Sequence, residues 1–274
     1  MSASSRLHWS GYTDRGKVRA ENEDSFLCLQ FDANEMRYLG RVGETDTESG
    51  DCVFAVSDGM GGAMAGEYAS KVVVDLVARI FPNVFRPGSQ GTPAEFEDSL
   101  GRLFAQIHET LENMGRHYEE CRGMGATLSL GWLTATQLHY AHIGDSRIYY
   151  LPAGTQELRR LTEDDSHVGW LFRTGQINER QARTHPRRSA ISKALGAGHQ
   201  SVKPQVGVVD YSPGDEFILC TDGVVEGLSD NQILRLLREP TPKEAEQLPA
   251  DRVVIYAVDI SGRDNTTALV VETS

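Results

Sequence analysis

The pattern of apolar residues predicts an α+β layered fold, on three observations. Runs of strand length recur along the chain, at Cys52–Ser57, Thr127–Leu133, Leu138–Ile143, Ile148–Leu151, Phe217–Thr221 and Thr267–Val271. Two segments instead carry apolar residues at spacings of three and four, the mark of a helix with one buried face. Both precede the long run of strands, which favours segregated helices and sheets over strict β-α alternation. The composition is that of a globular chain: 274 residues, 39% hydrophobic and 24% charged, long enough to bury a substantial core.

Taken in order, the Ser-rich stretch Met1–Ser10 lacks the apolar core of a signal peptide. In Ala63–Phe81, Val72, Val73, Leu76, Val77 and Ile80 share one broad helical face. In Ala94–Arg116, Phe96, Leu100, Leu103, Phe104, Ile107, Leu111 and Met114 do the same. Gly40–Asp51, Asn83–Ala94 and Pro240–Ala250 are polar or proline-bearing and predict surface loops. The longest uncharged stretch, the 18 residues Thr127–Gly144, contains Thr, Ser, Gln and His and is broken by Gly131, which predicts a buried hairpin and not a membrane span. Arg252–Ile260 fits either a strand or a helical stripe. Twenty-seven basic against thirty-nine acidic residues give a net charge of −12, a poor match to nucleic acid or an anionic membrane. Cys28, Cys52, Cys121 and Cys220 are widely spaced and form no C-x-x-C pair, which predicts reduced thiols in a cytoplasmic protein.

The most informative feature is a repeated local pattern. Val53–Gly59 reads VFAVSDG and Phe217–Gly223 reads FILCTDG: an apolar strand, a hydroxyl residue, then Asp-Gly. The strand fixes where the carboxylate emerges, and the glycine lets the backbone turn and approach closely. Leu138–Ile143 ends in Gly144-Asp145-Ser146, Asp264 sits just before Thr267–Val271, and Glu23-Asp24 abuts another apolar run. Carboxylates converging at a sheet edge repel one another unless a cation intervenes. A hard-oxygen donor set with no His or Cys suits Mg²⁺ or Mn²⁺, and two such ions sharing a carboxylate suit phosphoryl transfer. A lone Asp-Gly usually marks only a turn, so the recurrence carries the weight. No cysteine sits in a phosphate-cradling loop. Gly61 and Gly66 have a P-loop's first spacing, but Glu67-Tyr68 stands where Lys-Ser/Thr is required.

Arg19-x-x-Asn22-Glu23-Asp24, Asp58-Gly59-Met60-Gly61-Gly62, Gly125-Ala126-Thr127, Gly144-Asp145-Ser146-Arg147, Thr221-Asp222-Gly223 and Arg263-Asp264-Asn265 occur in the order found in the metal-dependent protein phosphatases of type 2C. The chain resembles the bacterial Ser/Thr members from about Leu7 to Val271. The resemblance implies a four-layer α/β/β/α sandwich, two antiparallel β-sheets flanked by helices, as a single domain over 5–273 with a flap subdomain at about 160–193. It also implies a helix for Arg252–Ile260. The activity implied is hydrolysis of phosphoserine and phosphothreonine on proteins, by attack of a water or hydroxide bridging two Mn²⁺ or Mg²⁺ ions. In that scheme Asp58 bridges the ions, the Gly59 carbonyl binds the second, and Asp222 and Asp264 hold the first. Glu23 and Asp24 act on the second ion through water or orient its ligands, and Asp145 serves a third, weaker ion, with Asp222 the candidate to share it. Arg19 would hold the substrate phosphate, where a planar guanidinium makes paired hydrogen bonds. Its alternative is a surface ion pair with Glu21 or Glu23. The implied partners are phosphorylated proteins, targets of a Ser/Thr kinase.

Family members often carry a His within or just after the Asp-Gly motif, assigned as general acid, and here those positions are Met60 and Ala63. A metal-bound water is the preferred donor, with His142, His167 and His185 as unsupported candidates. From Arg159 to Lys193 eight basic residues face four acidic ones, a local excess of cations within an acidic chain. This predicts that the flap, through Arg187 and Arg188, steers phosphorylated segments inward; the alternative is a solvated face paired to acidic neighbours. Two rivals to the phosphatase remain at this level: a pseudophosphatase-like regulatory module that binds phosphoproteins, and a metal hydrolase acting on another phosphate ester.

Overall fold

The computed structural model describes residues 5–32, 34–61, 65–84, 93–198 and 202–274. Gly62 and Ala63 lie outside them, as do most of the loop expected over Asn83–Ala94 and the first four residues. Among these described residues fourteen strands form two sheets, and every strand pairing is antiparallel. The first sheet contains β1 (Arg6–Asp14), β4 (Val42–Asp46), β9 (Arg147–Leu151), β10 (Arg159–Arg160), β13 (Glu216–Cys220) and β14 (Thr266–Thr273), in the order β10-β9-β13-β14-β1-β4. The second contains β2 (Asp24–Phe31), β3 (Met36–Tyr38), β5 (Asp51–Met60), β6 (Gly125–Ala126), β7 (Leu128–Leu133), β8 (Gln137–Ile143), β11 (Leu195–Gly196) and β12 (Gln205–Asp210). Its long strands run β3-β2-β5-β7-β8-β12, while β6 and β11 extend the sheet at the C-terminal end of β5.

The sheets are buried on both faces, which is why their strands read as continuous apolar runs. Along β5, Cys52, Phe54 and Val56 point between the sheets, against Leu7, Trp9, Leu219, Leu269 and Val271. The alternate residues Val53 and Ala55 pack outward on α1 (Ala65–Val84) and α2 (Pro93–His117). On the other side Ile218, Cys220, Ala268 and Val270 meet α5 (Asp222–Gly227), α6 (Asp230–Arg238) and α8 (Pro249–Ile260). Two short helices, α3 (His167–Arg173) and α4 (Glu179–Arg183), lie in the excursion between β10 and β11, and α7 (Pro242–Ala245) precedes α8. The layers are helix, sheet, sheet, helix.

Two expectations need correction, and the segment that fitted either strand or helix takes the helix the resemblance implies. Gly40–Asp51 is not a loop, because β4 pairs with β1 over Val42–Asp46 and the backbone pairing outweighs its polar composition. Pro240–Ala250 is mostly helical: Pro242 and Pro249 open α7 and α8, where a missing N–H costs nothing. Arg252–Ile260 is helical, with Val253, Val254 and Ala257 buried against the first sheet.

Phe54 is fully buried at the centre of the inter-sheet layer and meets Trp9 at 5.8 Å between ring centroids. Phe54→Ala is expected to lower unfolding free energy by about 3–5 kcal/mol, read from the urea midpoint.

Candidate active site

β5 carries Asp58 to the end of the second sheet, where the register sets it opposite Asp24 on β2. The break between β6 and β7 falls at Thr127, and this buried residue grips Asp58 from both sides. The Asp58 N–H donates to Thr127 Oγ1 at 3.0 Å, and the Thr127 N–H donates to the Asp58 carbonyl at 2.8 Å. The Thr127 hydroxyl is itself held by Ser146 Oγ at 2.7 Å. Gly59 donates its N–H to the Glu23 carbonyl at 3.0 Å, and a Cβ placed on Gly59 would come within 1.9 Å of the Gly66 carbonyl oxygen. Only glycine permits that approach. The Glu23 carboxylate lies against Gly66 near the start of α1, leaving no room for a side chain there.

Asp24 joins the sheets. Its Oδ2 accepts from Thr221 Oγ1 at 2.8 Å, just past β13, and from Thr267 Oγ1 at 2.6 Å on β14. Its Oδ1 is buried with no hydrogen-bond partner, and so is Oδ1 of Asp222, the first residue of α5. Asp264 accepts the Asn265 N–H on Oδ1 at 2.9 Å and Arg19 Nη2 on Oδ2 at 2.8 Å. Arg19 Nη1 stands 3.9 Å from Glu23 Oε2. The ion-pair alternative for Arg19 is present with Glu23, but its closer partner is Asp264, which the sequence did not offer, and Glu21 contributes only a carbonyl to Asn265. Asn265 organises the whole N-terminal loop. Its side chain donates to the carbonyls of Arg15 and Glu21 and accepts the Glu23 N–H, each at 2.8–2.9 Å.

Asp145 follows Gly144, whose φ of +114° turns the chain out of β8. The Gly144 carbonyl accepts from the Asp165 N–H at 2.6 Å and also from His142 Nε2 at 3.0 Å. His142 is fully buried, burial lowers its pKa, and its Nδ1 accepts from Ser129 Oγ at 2.8 Å. It is a neutral turn-holding group and not a proton donor to substrate. His167 stacks on Trp170, and His185 Nδ1 accepts the Arg187 N–H. None of the three hydrogen-bonds to Asp58, Asp222 or Asp264.

Burial first, then mutual repulsion, holds Asp58 and Asp222 well above the usual carboxylate range. Asp58 feels Asp24, Asp222 and Asp145; Asp222 feels Asp145, Asp264 and Glu226. Burial likewise pushes Asp24 and Asp145 up to about 7. Among the described residues no three His, Cys, Asp or Glu side chains close around one point as a ready-made cage. What the structure offers is an all-oxygen set of repelling carboxylates, with a buried unpartnered oxygen on Asp222. That set fits hard divalent cations that keep part of their water.

Six sequence motifs thus meet at one end of a two-sheet sandwich, which defines a type 2C phosphatase architecture with a carboxylate-rich site. The profile of the protein phosphatase 2C family matches residues 41–248, and the chain belongs to that family. It is 33% identical over 269 residues to the serine/threonine protein phosphatase PstP of Mycobacterium tuberculosis, a match covering 97% of this chain and 45% of that protein. The chain therefore spans about half the length of that relative. It is 30% identical over 266 residues to the serine/threonine phosphatase stp of Listeria monocytogenes, covering 97% of this chain and 96% of the relative. The crystal structure of the PstP catalytic domain in complex with two manganese ions superposes with a TM-score of 0.74 at 30% identity, covering 98% of this chain and 99% of that one.

The elevated carboxylates give metal binding a definite pH sign. Asp24 and Asp145 keep protons up to about 7 when folded but release them near 4 when unfolded, so this stabilisation is full below about 4 and is lost as pH rises through about 7. Metal-free protein should lose thermal stability over that window. Mn²⁺, which competes with those protons, should raise Tm more at pH 8 than at pH 5; an equal or smaller rise at pH 8 would contradict the assignment.

Proposed function

We propose that this chain is a metal-dependent protein serine/threonine phosphatase of one domain, hydrolysing phosphoserine and phosphothreonine esters of protein substrates. The observation that carries the reading is the meeting of Asp24, Asp58, Asp145, Asp222 and Asp264 at one end of the sandwich, repelling one another and leaving buried oxygens unpartnered. Asp58 would be shared by two Mn²⁺ or Mg²⁺ ions, with Asp222 and Asp264 on the first, the Gly59 carbonyl on the second, and Glu23 and Asp24 orienting its surroundings. Asp145 would serve a third ion. When bound, such ions neutralise the carboxylates and make water nucleophilic near neutral pH.

The chain's own groups do the rest. Thr127 and Ser146 fix the backbone of Asp58, and the Thr221 and Thr267 hydroxyls hold Asp24 from the opposite sheet. Arg19 lies half-exposed beside Asp264 and presents a planar fork to a phosphate. The proton for the leaving alkoxide comes from water in the site, since His142 is committed to the Gly144 turn. The 160–193 segment acts as the flap, but most of its charge is already paired: Arg173 with Glu163, Arg188 with Glu226 and Lys193 with Asp165. Steering falls to Arg180 and Arg187, whose side chains make no ion pair among the described residues. Among those residues no helix is long and apolar enough to cross a membrane, and a cytoplasmic partner of a Ser/Thr kinase is the setting this reading implies.

With Mn²⁺ or Mg²⁺ the protein should hydrolyse both p-nitrophenyl phosphate and a phosphothreonine peptide, and EDTA should abolish both reactions. Asp58→Ala should cost on the order of 10²–10³ in kcat, by analogy with removal of one preorganised electrostatic group. Turnover of the aryl ester alone would assign the deficit to the leaving-group proton, at Met60 and Ala63. Metal binding without any turnover would support the regulatory-module reading instead.

Arg19→Ala should lower kcat/KM by roughly 10–100-fold on both substrates, as loss of charged hydrogen bonds to phosphate requires. Arg187→Gln should raise KM for the phosphopeptide only, and less so at high salt.

A further inference from the structure

Residues 15–23 carry the chain from β1 to β2 without helix or strand, and Arg19 stands at their middle. A loop of that kind ordinarily leaves a guanidinium free to wander. Here the backbone is tied down on both sides of Arg19, and to one short segment, 262–265. Ahead of Arg19, the Lys17 N–H donates to the Gly262 carbonyl at 2.6 Å, and the Arg15 carbonyl accepts from Asn265 Nδ2 at 2.9 Å. Beyond it, the Glu21 carbonyl accepts from the same Nδ2 at 2.9 Å, and the Glu23 N–H donates to Asn265 Oδ1 at 2.8 Å.

Asn265 is 3% exposed, and both hydrogens of its amide and the amide oxygen are committed to the loop backbone. A carboxylate in its place offers acceptors only, and a methyl group offers nothing. Gly16 completes the fit: its φ is +77°, and a Cβ there would run into the Asp264 carbonyl oxygen. The loop therefore lies directly on the peptide of Asp264. The Arg19 guanidinium finds its partners on the latched segments themselves, Asp264 at 2.8 Å and Glu23 at 3.9 Å. The Asn265 N–H that holds Asp264 Oδ1 at 2.9 Å is a main-chain group, so it survives loss of the Asn265 side chain.

We propose that Asn265 is a positioning residue for substrate. By latching 15–23 onto the segment that carries Asp264, it sets where the Arg19 fork stands beside the carboxylates, and with that the affinity for a phosphate group. It acts on phosphate through Arg19, while the carboxylates stay where their own strands hold them. The inference rests on reading Arg19 as the donor to substrate phosphate.

Asn265→Ala should raise KM for p-nitrophenyl phosphate and for a phosphothreonine peptide, and Ki for inorganic phosphate, each by about tenfold, the scale of a charged hydrogen bond loosened. The turnover number kcat and the Mn²⁺ affinity by calorimetry should be little changed, as loss of uniform binding requires. The effect should vanish in the Arg19→Ala background, because a residue acting through another adds nothing once that one is gone. Gly16→Ala pushes the loop off 262–265 without altering Asn265; it should reproduce the KM effect, and it carries the test if Asn265→Ala fails to fold. Trypsin reads the latch without turnover, since Arg15, Lys17 and Arg19 are exposed side chains on a held backbone. Cleavage at these three positions, located by mass spectrometry, should be about tenfold faster in Asn265→Ala than in wild type, one hydrogen bond's worth of local opening.

Unchanged KM and phosphate Ki in Asn265→Ala, unchanged trypsin cleavage, or an equal loss in the Arg19→Ala background overturns the positioning role and leaves the phosphatase reading intact. So does a fall in Mn²⁺ affinity large enough to account for the whole effect. KM and Ki unmoved by Arg19→Ala overturn the phosphate assignment of Arg19, and this inference with it.

Discussion

Carboxylates in a poorly solvated pocket repel one another by about 2–4 kcal/mol per pair at separations of roughly 4–8 Å. Asp24, Asp58, Asp145, Asp222 and Asp264 are gathered at one end of this sandwich under that repulsion. A flexible loop would relieve it by moving apart. Rigid strands prevent this, because each Asp is fixed within a residue or two of a strand whose neighbours are paired on both sides. The inter-sheet layer of Phe54, Leu219 and Leu269 holds the two carboxylate-bearing sheets in one place. The fold's stability is thereby spent on a local arrangement that is unfavourable without cations, as functional sites commonly require.

Backbone grips do the fine positioning. Thr127 clamps the peptide of Asp58, Asn265 ties the Arg15–Glu23 loop to the start of β14, and Thr221 and Thr267 reach across the sheets to Asp24. Each uses a neutral donor or acceptor, so none adds to the charge it manages. Arg19 is the exception: its guanidinium, charged throughout, rests on Asp264, and that hydrogen bond raises its pKa further. It is both a counter-charge to the carboxylates and a donor array facing outward.

The sheet-edge carboxylates were legible in the sequence because a strand followed by Asp-Gly is a purely local signal. The pattern in VFAVSDG and FILCTDG states where the side chain emerges without reference to the rest of the fold. The hydrogen-bond partners were not legible. Thr267 lies 243 residues from Asp24 along the chain and nothing local distinguishes it from an ordinary strand threonine, while Thr221, 197 residues away, was visible only as the hydroxyl before Asp222-Gly223, without its partner. Thr127 was visible only as part of a motif, without its role. Edge pairing of β4 on β1 was hidden for the same reason: its hydrogen bonds come from a segment whose partner is elsewhere. Pro242 and Pro249 misled in the opposite way, since a proline marks a helix start as readily as a loop.

The basic character of 159–193 shows how far a charge count can stray from a field. Summed along the sequence, the segment looks like an attractor for phosphate. In three dimensions Arg147 and Arg160 both turn to Asp164, Arg173 to Glu163, Arg188 to Glu226 and Lys193 to Asp165. Paired charges present dipoles to solvent, and dipolar fields fade faster with distance than those of free charges. On the proposed reading, long-range attraction to a phosphorylated segment would be carried by few residues, while the paired arginines fix where the 160–193 segment sits. Recognition of such a substrate would then be a matter of short-range fit beside the carboxylates, in a chain whose overall charge of −12 disfavours indiscriminate capture of anions.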